Sequence, residues 1–171
     1  AAAFPALRDS WVTFFQKPQI WMMLAVVFFY RFGEGFIEKF GPLFLLDPRS
    51  AGGLGLGNEA LGLLNGTVGT LSFIAGAFLG GFVVARMTLQ RSFVLLALTL
   101  NLPHLTYWLL AQGQPENLWL IGTLVSIEKF GFGMGSVGHM LYMMQQIAPG
   151  PFKMTHYAFA TGVMALTKWS T

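Results

Sequence analysis

Long apolar stretches, separated by short polar turns, dominate the pattern of the chain. A helix needs about 20 mostly apolar residues to cross the hydrocarbon core of a bilayer. The stretches that meet this length run over 20–46, 60–85, 91–111, 118–147 and 152–171. Turn-forming residues such as Pro48, Gly57, Pro115 and Pro149 lie between them. The pattern therefore predicts an all-α fold, a polytopic transmembrane bundle with five spans over residues 20–171.

The composition excludes an ordinary soluble domain. Charged residues make up 10% of the chain, where a soluble domain carries about 25%. Apolar residues reach 54%, so we expect the lipid bilayer to act as the solvent. The chain has no cysteine, which excludes disulfides and thiol nucleophiles. It also lacks an initiating Met, so we expect a piece of a longer protein with an amino-terminal part missing.

The basic residues outside the spans predict the orientation. Five of them fall on one side of the membrane if the helices alternate, whereas the opposite side has only Arg49. The five are Arg8, Lys17, Arg86, Arg91 and Lys153. Because cytoplasmic loops carry the excess of Lys and Arg, we expect the amino terminus in the cytoplasm.

Residues 1–19 form a separate segment with helical periodicity. Its apolar positions are Phe4, Leu7, Trp11, Phe14 and Phe15. One interpretation is an amphipathic cytoplasmic linker that lies on the inner membrane surface. The alternative is a linker that packs on protein missing from this chain.

Small residues are concentrated on the second and fourth spans. Gly62/Gly66 and Gly76/Gly80 form two pairs at the four-residue spacing that lets transmembrane helices approach closely. Gly133-x-Gly135-x-x-Gly138 matches a dinucleotide fingerprint. That fingerprint requires a strand-to-helix turn followed by an acidic residue, and neither is expected here. We expect tight helix packing and no cofactor.

Six ionisable residues inside the spans are candidates for function. They are Arg31, Glu34, Glu38, Lys39, Glu128 and Lys129. A charge in mid-bilayer costs at least about 2.5 kcal/mol, so such groups face the bundle interior and find partners. The helical rise of 1.5 Å per residue predicts similar depths for the three acids.

Two interpretations of this charged layer remain open. One is a proton-coupling site formed by Arg31, Glu34, Glu38, Glu128 and Lys129, since neighbouring charges and burial tune carboxylate protonation. The other is purely structural, with Arg31–Glu34 and Glu128–Lys129 as ion pairs that fix the helix register.

Uncharged and weakly basic polar residues at membrane depth are candidates for a substrate cavity. They are Asn65, Asn101, His139 and Tyr142. His104 follows Pro103 in mid-span, where we expect a kink. No histidine pair has metal-ligand spacing and no catalytic triad or elbow motif occurs, so we expect neither a metal site nor an enzyme.

The loop between the second and third spans resembles a signature of the major facilitator superfamily. Gly81, Arg86 and Arg91 fit that signature, whereas Ala85 replaces its usual acid and Thr88 its usual glycine. The helix order and the Gly-rich fourth span resemble the carboxy-terminal half of such a transporter. The resemblance implies a partial major-facilitator half, with helices seven to eleven of twelve present.

Four segments resemble more narrowly the AmpG-type muropeptide permeases, a branch that includes acetyl-CoA transporters. They are Tyr30–Glu34, Arg86–Arg91, Tyr107–Leu110 and the stretch from Glu128 to Gly135, with Thr155–Ala158 following. The resemblance implies a permease of the bacterial inner membrane that imports muropeptides for peptidoglycan recycling by proton symport. The implied partners are a small-molecule solute, protons and the missing amino-terminal half, and no nucleic acid.

A second class of function is compatible with the same sequence. The chain could be a non-transporting membrane module, such as an assembly subunit or a ligand-sensing subunit. That alternative requires the 171 residues to be the complete gene product, so the intact mass of the native protein separates the two.

Overall fold

The computed structural model describes the backbone of residues 3–170 and the side chains of residues 5–170. Within this range the chain is helical and contains no strand, which confirms the all-α prediction. The helices are α1 (Ala3–Phe15), α2 (Ile20–Tyr30), α3 (Phe32–Leu46), α4 (Asn58–Leu61), α5 (Gly69–Met87), α6 (Leu89–Asn101), α7 (Leu105–Gly113), α8 (Leu118–Tyr142) and α9 (Lys153–Ser170).

Helices α2 to α9 form five rods. The first joins α2 and α3, the second joins α4 and α5 through a π segment, and the third joins α6 and α7 through a 3₁₀ turn. The fourth is α8 extended by a second π segment, and the fifth is α9. The first three, Ile20–Leu46, Asn58–Met87 and Leu89–Gly113, are long and apolar enough to cross a membrane. The count of five membrane spans stays a prediction.

The outward faces of the rods are apolar. Phe78 is 77% exposed, and Trp119 and Trp169 are each 87% exposed. By contrast, the side chains of Glu34 and Glu128 are 1% and 0% exposed. Soluble proteins usually bury apolar side chains and expose charged ones. The opposite arrangement here is expected for a helical bundle surrounded by lipid.

Close backbone contact between α5 and α8 forms the centre of the bundle. A Cβ atom added at Gly76 would overlap the Phe130 carbonyl, and one at Gly133 would overlap the Phe73 carbonyl. Only glycine therefore lets these two helices approach this closely. The Gly76/Gly80 pair packs as expected, whereas Gly62 and Gly66 face open space.

Helix α1 packs on the fifth rod through one edge. Phe14 is buried, and the Trp11 ring lies 4.7 Å from the Phe159 ring. Lys17 donates hydrogen bonds to the carbonyls of Ile147, at 2.6 Å, and Pro149. Burial there lowers the pKa of the Lys17 ammonium. Thus α1 contacts the fourth and fifth rods of this chain, which neither interpretation of the sequence named. Leu7 and Trp11 remain about half exposed.

Parts of the amino-terminal and carboxy-terminal predictions cannot be placed on this architecture. The Phe4 side chain, residues 1 and 2, and residue 171 lie outside the described residues. The division of the chain at residue 19 into linker and bundle stays a prediction.

The turn between the second and third rods contains a strained residue. Thr88 has φ 66° and ψ 155°, a region that residues with a side chain rarely adopt. Its side chain makes no capping hydrogen bond at the start of α6. Glycine adopts this backbone conformation without steric cost.

Replacing Thr88 with glycine should stabilise the protein. Strain of this kind costs about 1–3 kcal/mol, and the added freedom of glycine in the unfolded chain offsets up to about 1 kcal/mol of the gain. We expect a net increase of about 1 kcal/mol in the free energy of unfolding, measured by denaturant titration in detergent micelles. Thr123→Gly, at an exposed position inside α8, is the matched control and should lower stability by roughly 0.3–0.5 kcal/mol. Equal effects of the two substitutions would contradict the assignment of strain to Thr88.

Candidate functional site

The first rod is interrupted at Arg31, in the middle of its length. Arg31 has φ −114° and ψ 11°, which ends α2 and starts α3. The interruption frees the Tyr30 carbonyl, and the Asn101 side-chain amide donates to it at 3.2 Å. Asn101 also donates to the Ala97 carbonyl at 2.8 Å, so it joins the first and third rods.

The third rod is also interrupted, at the point where it packs against the first rod near Gly33. The segment Leu102–His104 forms a 3₁₀ turn around Pro103, which lacks the N–H that a continuous helix needs. The 3₁₀ turn lies where the kink was expected, and the kink itself stays a prediction. The turn brings the His104 ring against Gly33, where an added Cβ would lie 3.0 Å from Nδ1. Two broken helices thus meet, an arrangement that exposes polar backbone to a binding site in membrane transporters.

Three ionisable side chains from three rods converge at this junction. His104 Nε2 lies 3.0 Å from Glu34 Oε2, and one ligand atom from each of Glu34, His104 and Glu128 lies within 4.8 Å of the others. Lys129 Nζ lies 3.0 Å from Glu128 Oε2. We name Glu34, His104 and Glu128 the buried triad. The similar membrane depth expected for Glu34, Glu38 and Glu128 stays a prediction.

A second charged cluster lies beside the triad and connects the first and fifth rods. Glu38 accepts from Lys168 at 2.6 Å and from Arg31 at 3.4 Å. The Arg31 guanidinium also lies over the Phe132 ring, 4.8 Å from its centroid. The expected Arg31–Glu34 pair is therefore wrong, because Arg31 pairs with Glu38 and Glu34 pairs with His104. The expected Glu128–Lys129 pair is present.

An open cavity of about 290 Å³ lies between the first, second and fourth rods. Its lining combines carboxylates, an ammonium, an amide, a hydroxyl and two phenyl rings. The lining residues are Glu34, Glu38, Asn65, Gly69, Thr70, Phe73, Lys129 and Phe132. We name this space the polar cavity.

Asn65 lies on the π segment Gly62–Val68, which interrupts the second rod. Its side-chain oxygen is buried and has no hydrogen-bond partner among the described residues. π segments often occur at functional sites, and an unsatisfied acceptor beside a cavity needs a donor. Asn65 is therefore the cavity residue whose chemistry most directly requires a ligand.

Three other predicted cavity residues lie away from the polar cavity. Asn101 binds backbone carbonyls, and the His139 ring stacks on Tyr30 at 4.8 Å with an interplanar angle of 17°. The Tyr142 ring packs on Phe93 at 5.0 Å. Their assignment to a substrate cavity stays a prediction, as do the roles of Arg31, Glu34, Glu38, Glu128 and Lys129 in proton coupling.

The predicted loop motif consists of Gly81, Arg86 and Arg91. Gly81 faces open space, and the Arg86 guanidinium lies over the Phe82 ring, 4.8 Å from its centroid. Arg91 is exposed near the start of α6. The functional role of Gly81, Arg86 and Arg91 stays a prediction.

His104 is the site residue that the sequence interpretation did not assign to the charged layer. The signal was present, because an ionisable residue in an apolar stretch must find a partner. Its partner, Glu34, is 70 positions away in the chain, and only the meeting of the two broken rods reveals the pair.

Together, the fold and these buried charges define the chain as part of a polytopic α-helical membrane protein. The chain is homologous to the anhydromuropeptide permease of Escherichia coli K12, with 27% identity over 165 residues. The same identity and coverage relate it to the anhydromuropeptide permease of E. coli O157:H7. An uncharacterised protein of Haemophilus influenzae is 24% identical over 174 residues.

The homology covers nearly all of this chain but only part of each relative. It spans 96% of the chain and 31% of the E. coli permeases, and 95% of the chain and 39% of the Haemophilus protein. The chain thus spans about a third of the length of the curated relatives it matches, which fits a carboxy-terminal half. No family model and no solved structure matches the chain.

Proposed function

We propose that this chain is the carboxy-terminal part of a proton-coupled secondary transporter of the major facilitator type. Its substrates are cell-wall muropeptides or similar amphipathic solutes, imported across the bacterial inner membrane. Homology to permeases supports the transport role. The observation that carries the proposal is the polar cavity, which opens beside two broken helices and a buried acid–base cluster.

The chemistry of the polar cavity suits a muropeptide. Such a solute combines carboxylates, amide groups and sugar rings. The Lys129 ammonium attracts a carboxylate, and the unpartnered oxygen of Asn65 accepts from an amide N–H. Phe73 and Phe132, with ring centroids 5.2 Å apart, offer an apolar wall to the faces of the sugar.

The proposed orientation puts the amino terminus in the cytoplasm. Lys17 contacts the carbonyls at the end of the fourth rod, so the α1 end and the turn before Lys153 lie together. Arg86 and Arg91 flank the turn between the second and third rods. Grouping of basic residues at one end of the bundle is typical of a cytoplasmic surface.

Uptake of radiolabelled anhydromuropeptide tests the transport proposal. The intact gene product carrying this chain would be expressed in cells without their own muropeptide permease. We expect uptake that collapses when an uncoupler removes the proton gradient. Substrate binding without uptake would overturn the proposal and favour the non-transporting module.

Within that assay, Asn65→Leu should weaken substrate recognition. The variant keeps the side-chain volume but removes the acceptor, which leaves a substrate N–H unpaired at a cost of about 1–3 kcal/mol. We expect KM to rise about tenfold with little change in the maximal rate. Asn58→Leu, an exposed position on the same rod, is the control and should keep the wild-type KM. Equal KM values for both variants and the wild type would remove Asn65 from the binding site.

A further inference from the structure

A second cavity, of about 550 Å³, runs along the contact between the second and fourth rods. The second rod contributes Leu64, Val68 and Ser72, at four-residue spacing, and α8 contributes side chains between Leu118 and Phe130. We name this space the apolar groove. It has nearly twice the volume of the polar cavity, and its lining is almost entirely hydrocarbon.

The few hydroxyl groups in the apolar groove offer little to a polar ligand. The Thr123 hydroxyl donates to the Trp119 carbonyl at 2.8 Å, and the Ser126 hydroxyl donates to the Gly122 carbonyl at 2.7 Å. Both donors are therefore used within α8. The apolar groove suits a ligand that is recognised by shape and dispersion contact alone.

The apolar groove and the polar cavity lie on different faces of the second rod. The groove residues Leu64, Val68 and Ser72 are each followed directly by a residue of the polar cavity, namely Asn65, Gly69 or Phe73. One residue of helix corresponds to a rotation of about 100°. The two spaces share no lining residue among those described, so the apolar groove is separate from the proposed solute site.

The apolar groove opens onto an apolar surface. Leu71 on the second rod and Leu120 on the fourth are exposed beside it, and Ile127 in its lining is also exposed. In a membrane-spanning bundle such a surface contacts lipid. The molecules that reach the apolar groove are therefore those of the bilayer.

The length of the apolar groove matches one leaflet of a membrane. Leu118 and Phe130 are its outermost lining residues on α8, and the rise of 1.5 Å per residue puts them about 18 Å apart along the axis. One leaflet contributes half of a hydrocarbon core of about 30 Å, which is about 15 Å. The exposed Trp119 lies at the start of α8, and tryptophan is typical of the membrane–water interface.

We propose that the apolar groove binds one acyl chain of a phospholipid from the leaflet at the amino end of α8. A further transmembrane helix fits less well, because 18 Å of helix about 10 Å in diameter occupies roughly 1,400 Å³. The two rods also touch at both ends of the groove, where Gly122 faces Leu64 and Gly76 faces the Phe130 carbonyl. A narrow space along two touching helices favours a flexible chain.

A bound acyl chain would pack against the π segment of the second rod. Leu64 and Val68 belong to this segment and line the apolar groove, whereas Asn65 belongs to it and lines the polar cavity. The chain thus supports, from the lipid side, the backbone that positions Asn65. The acyl-chain site itself requires no transport activity, so this inference goes beyond the proposed function.

Photocrosslinking with a phospholipid tests the proposal. The probe is phosphatidylethanolamine with a diazirine on one acyl chain, added below one equivalent to the intact gene product in detergent. After illumination, peptide mass spectrometry locates the label. We expect label in the peptides with Val68 and Ile127 to exceed several-fold the label around Phe78, an exposed apolar residue outside the apolar groove.

Two variants make the test specific to the apolar groove. Ile127→Trp fills the space from an exposed position and should reduce labelling there to the level around Phe78. Leu120→Trp is the matched control, since Leu120 is equally exposed on α8 but does not line the apolar groove, and its labelling should equal that of the wild type. Thermal unfolding of both variants checks that they are folded.

Thermal unfolding in added phosphatidylethanolamine gives an independent measurement. A ligand that binds the folded state raises the midpoint temperature. The midpoint should rise for the wild type and Leu120→Trp, and it should rise less for Ile127→Trp.

Each contrary result has a definite meaning. Equal labelling of the apolar groove and the Phe78 surface would overturn the proposal, because lipid would then act only as solvent. Labelling at Phe78 without any in the apolar groove would overturn it in favour of a protein segment that covers the groove. Specific labelling in a protein that takes up no muropeptide would support the acyl-chain site and overturn the proposed function.

Discussion

Gly133→Ala should destabilise the protein by at least about 2–3 kcal/mol. The added methyl group would overlap the Phe73 carbonyl across the contact between α5 and α8. Overpacking usually costs about 1–3 kcal/mol, and here the obstacle is backbone that cannot change rotamer. Unfolding of the intact protein by SDS titration in mixed micelles measures the change in free energy.

Gly62→Ala is the matched control for this prediction. It introduces the same methyl group on the same pair of rods at a position with no neighbouring atom within 4 Å. Its effect should be neutral or stabilising by up to about 1 kcal/mol, because alanine favours the helix. If Gly133→Ala and Gly62→Ala changed the free energy of unfolding by the same amount, the close approach of α5 and α8 would be contradicted.

Glu34→Gln should abolish proton-coupled uptake in the intact protein without reducing its expression. The change removes the negative charge of the buried carboxylate that lies 3.0 Å from His104 Nε2. We expect net uptake to fall to the level of cells that lack the protein. Exchange of labelled for unlabelled substrate needs no net proton movement and should persist. This combination distinguishes loss of coupling from loss of folding.

The control for the coupling experiment is Glu59→Gln. Glu59 is an exposed acid in α4, at the end of the second rod, and lies outside both the buried triad and the polar cavity. Its uptake should equal that of the wild type. Normal net uptake by Glu34→Gln would remove Glu34 from the coupling mechanism.

The rods and one pair of acids could be predicted from the sequence because both depend on local regularities. The length of an apolar stretch determines how far a membrane helix can extend. The predicted stretch 20–46 accordingly matches the rod Ile20–Leu46. The constant rise per residue predicts similar depths for Glu34 and Glu128, and the structure brings them together.

The partners of the charged residues could not be predicted in the same way. Helical spacing places both Glu34 and Glu38 within reach of Arg31, and the contact forms with Glu38 while His104 pairs with Glu34. The Glu34–His104 contact depends on two interruptions in separate rods, one of them at Pro103. Periodicity predicts which face of a continuous helix is apolar, but it does not predict how two discontinuous helices meet.

The packing of α1 shows a similar limit. Its amphipathic pattern identifies an apolar face but carries no information about which surface covers it. His156 lies 3.1 Å from the Ser10 carbonyl and 3.2 Å from the Thr13 hydroxyl, a long-range contact that no local pattern encodes.

The π segment Gly62–Val68 has a geometric consequence for the amino-terminal end of the second rod. A π turn contains one residue more than an α turn, and each residue of an α-helix corresponds to about 100° of rotation. Conversion of this segment to regular α geometry would therefore swing Asn58–Leu61 by roughly a quarter of a circle relative to α5. It would also carry the Asn65 amide around the rod axis and so change its position in the polar cavity.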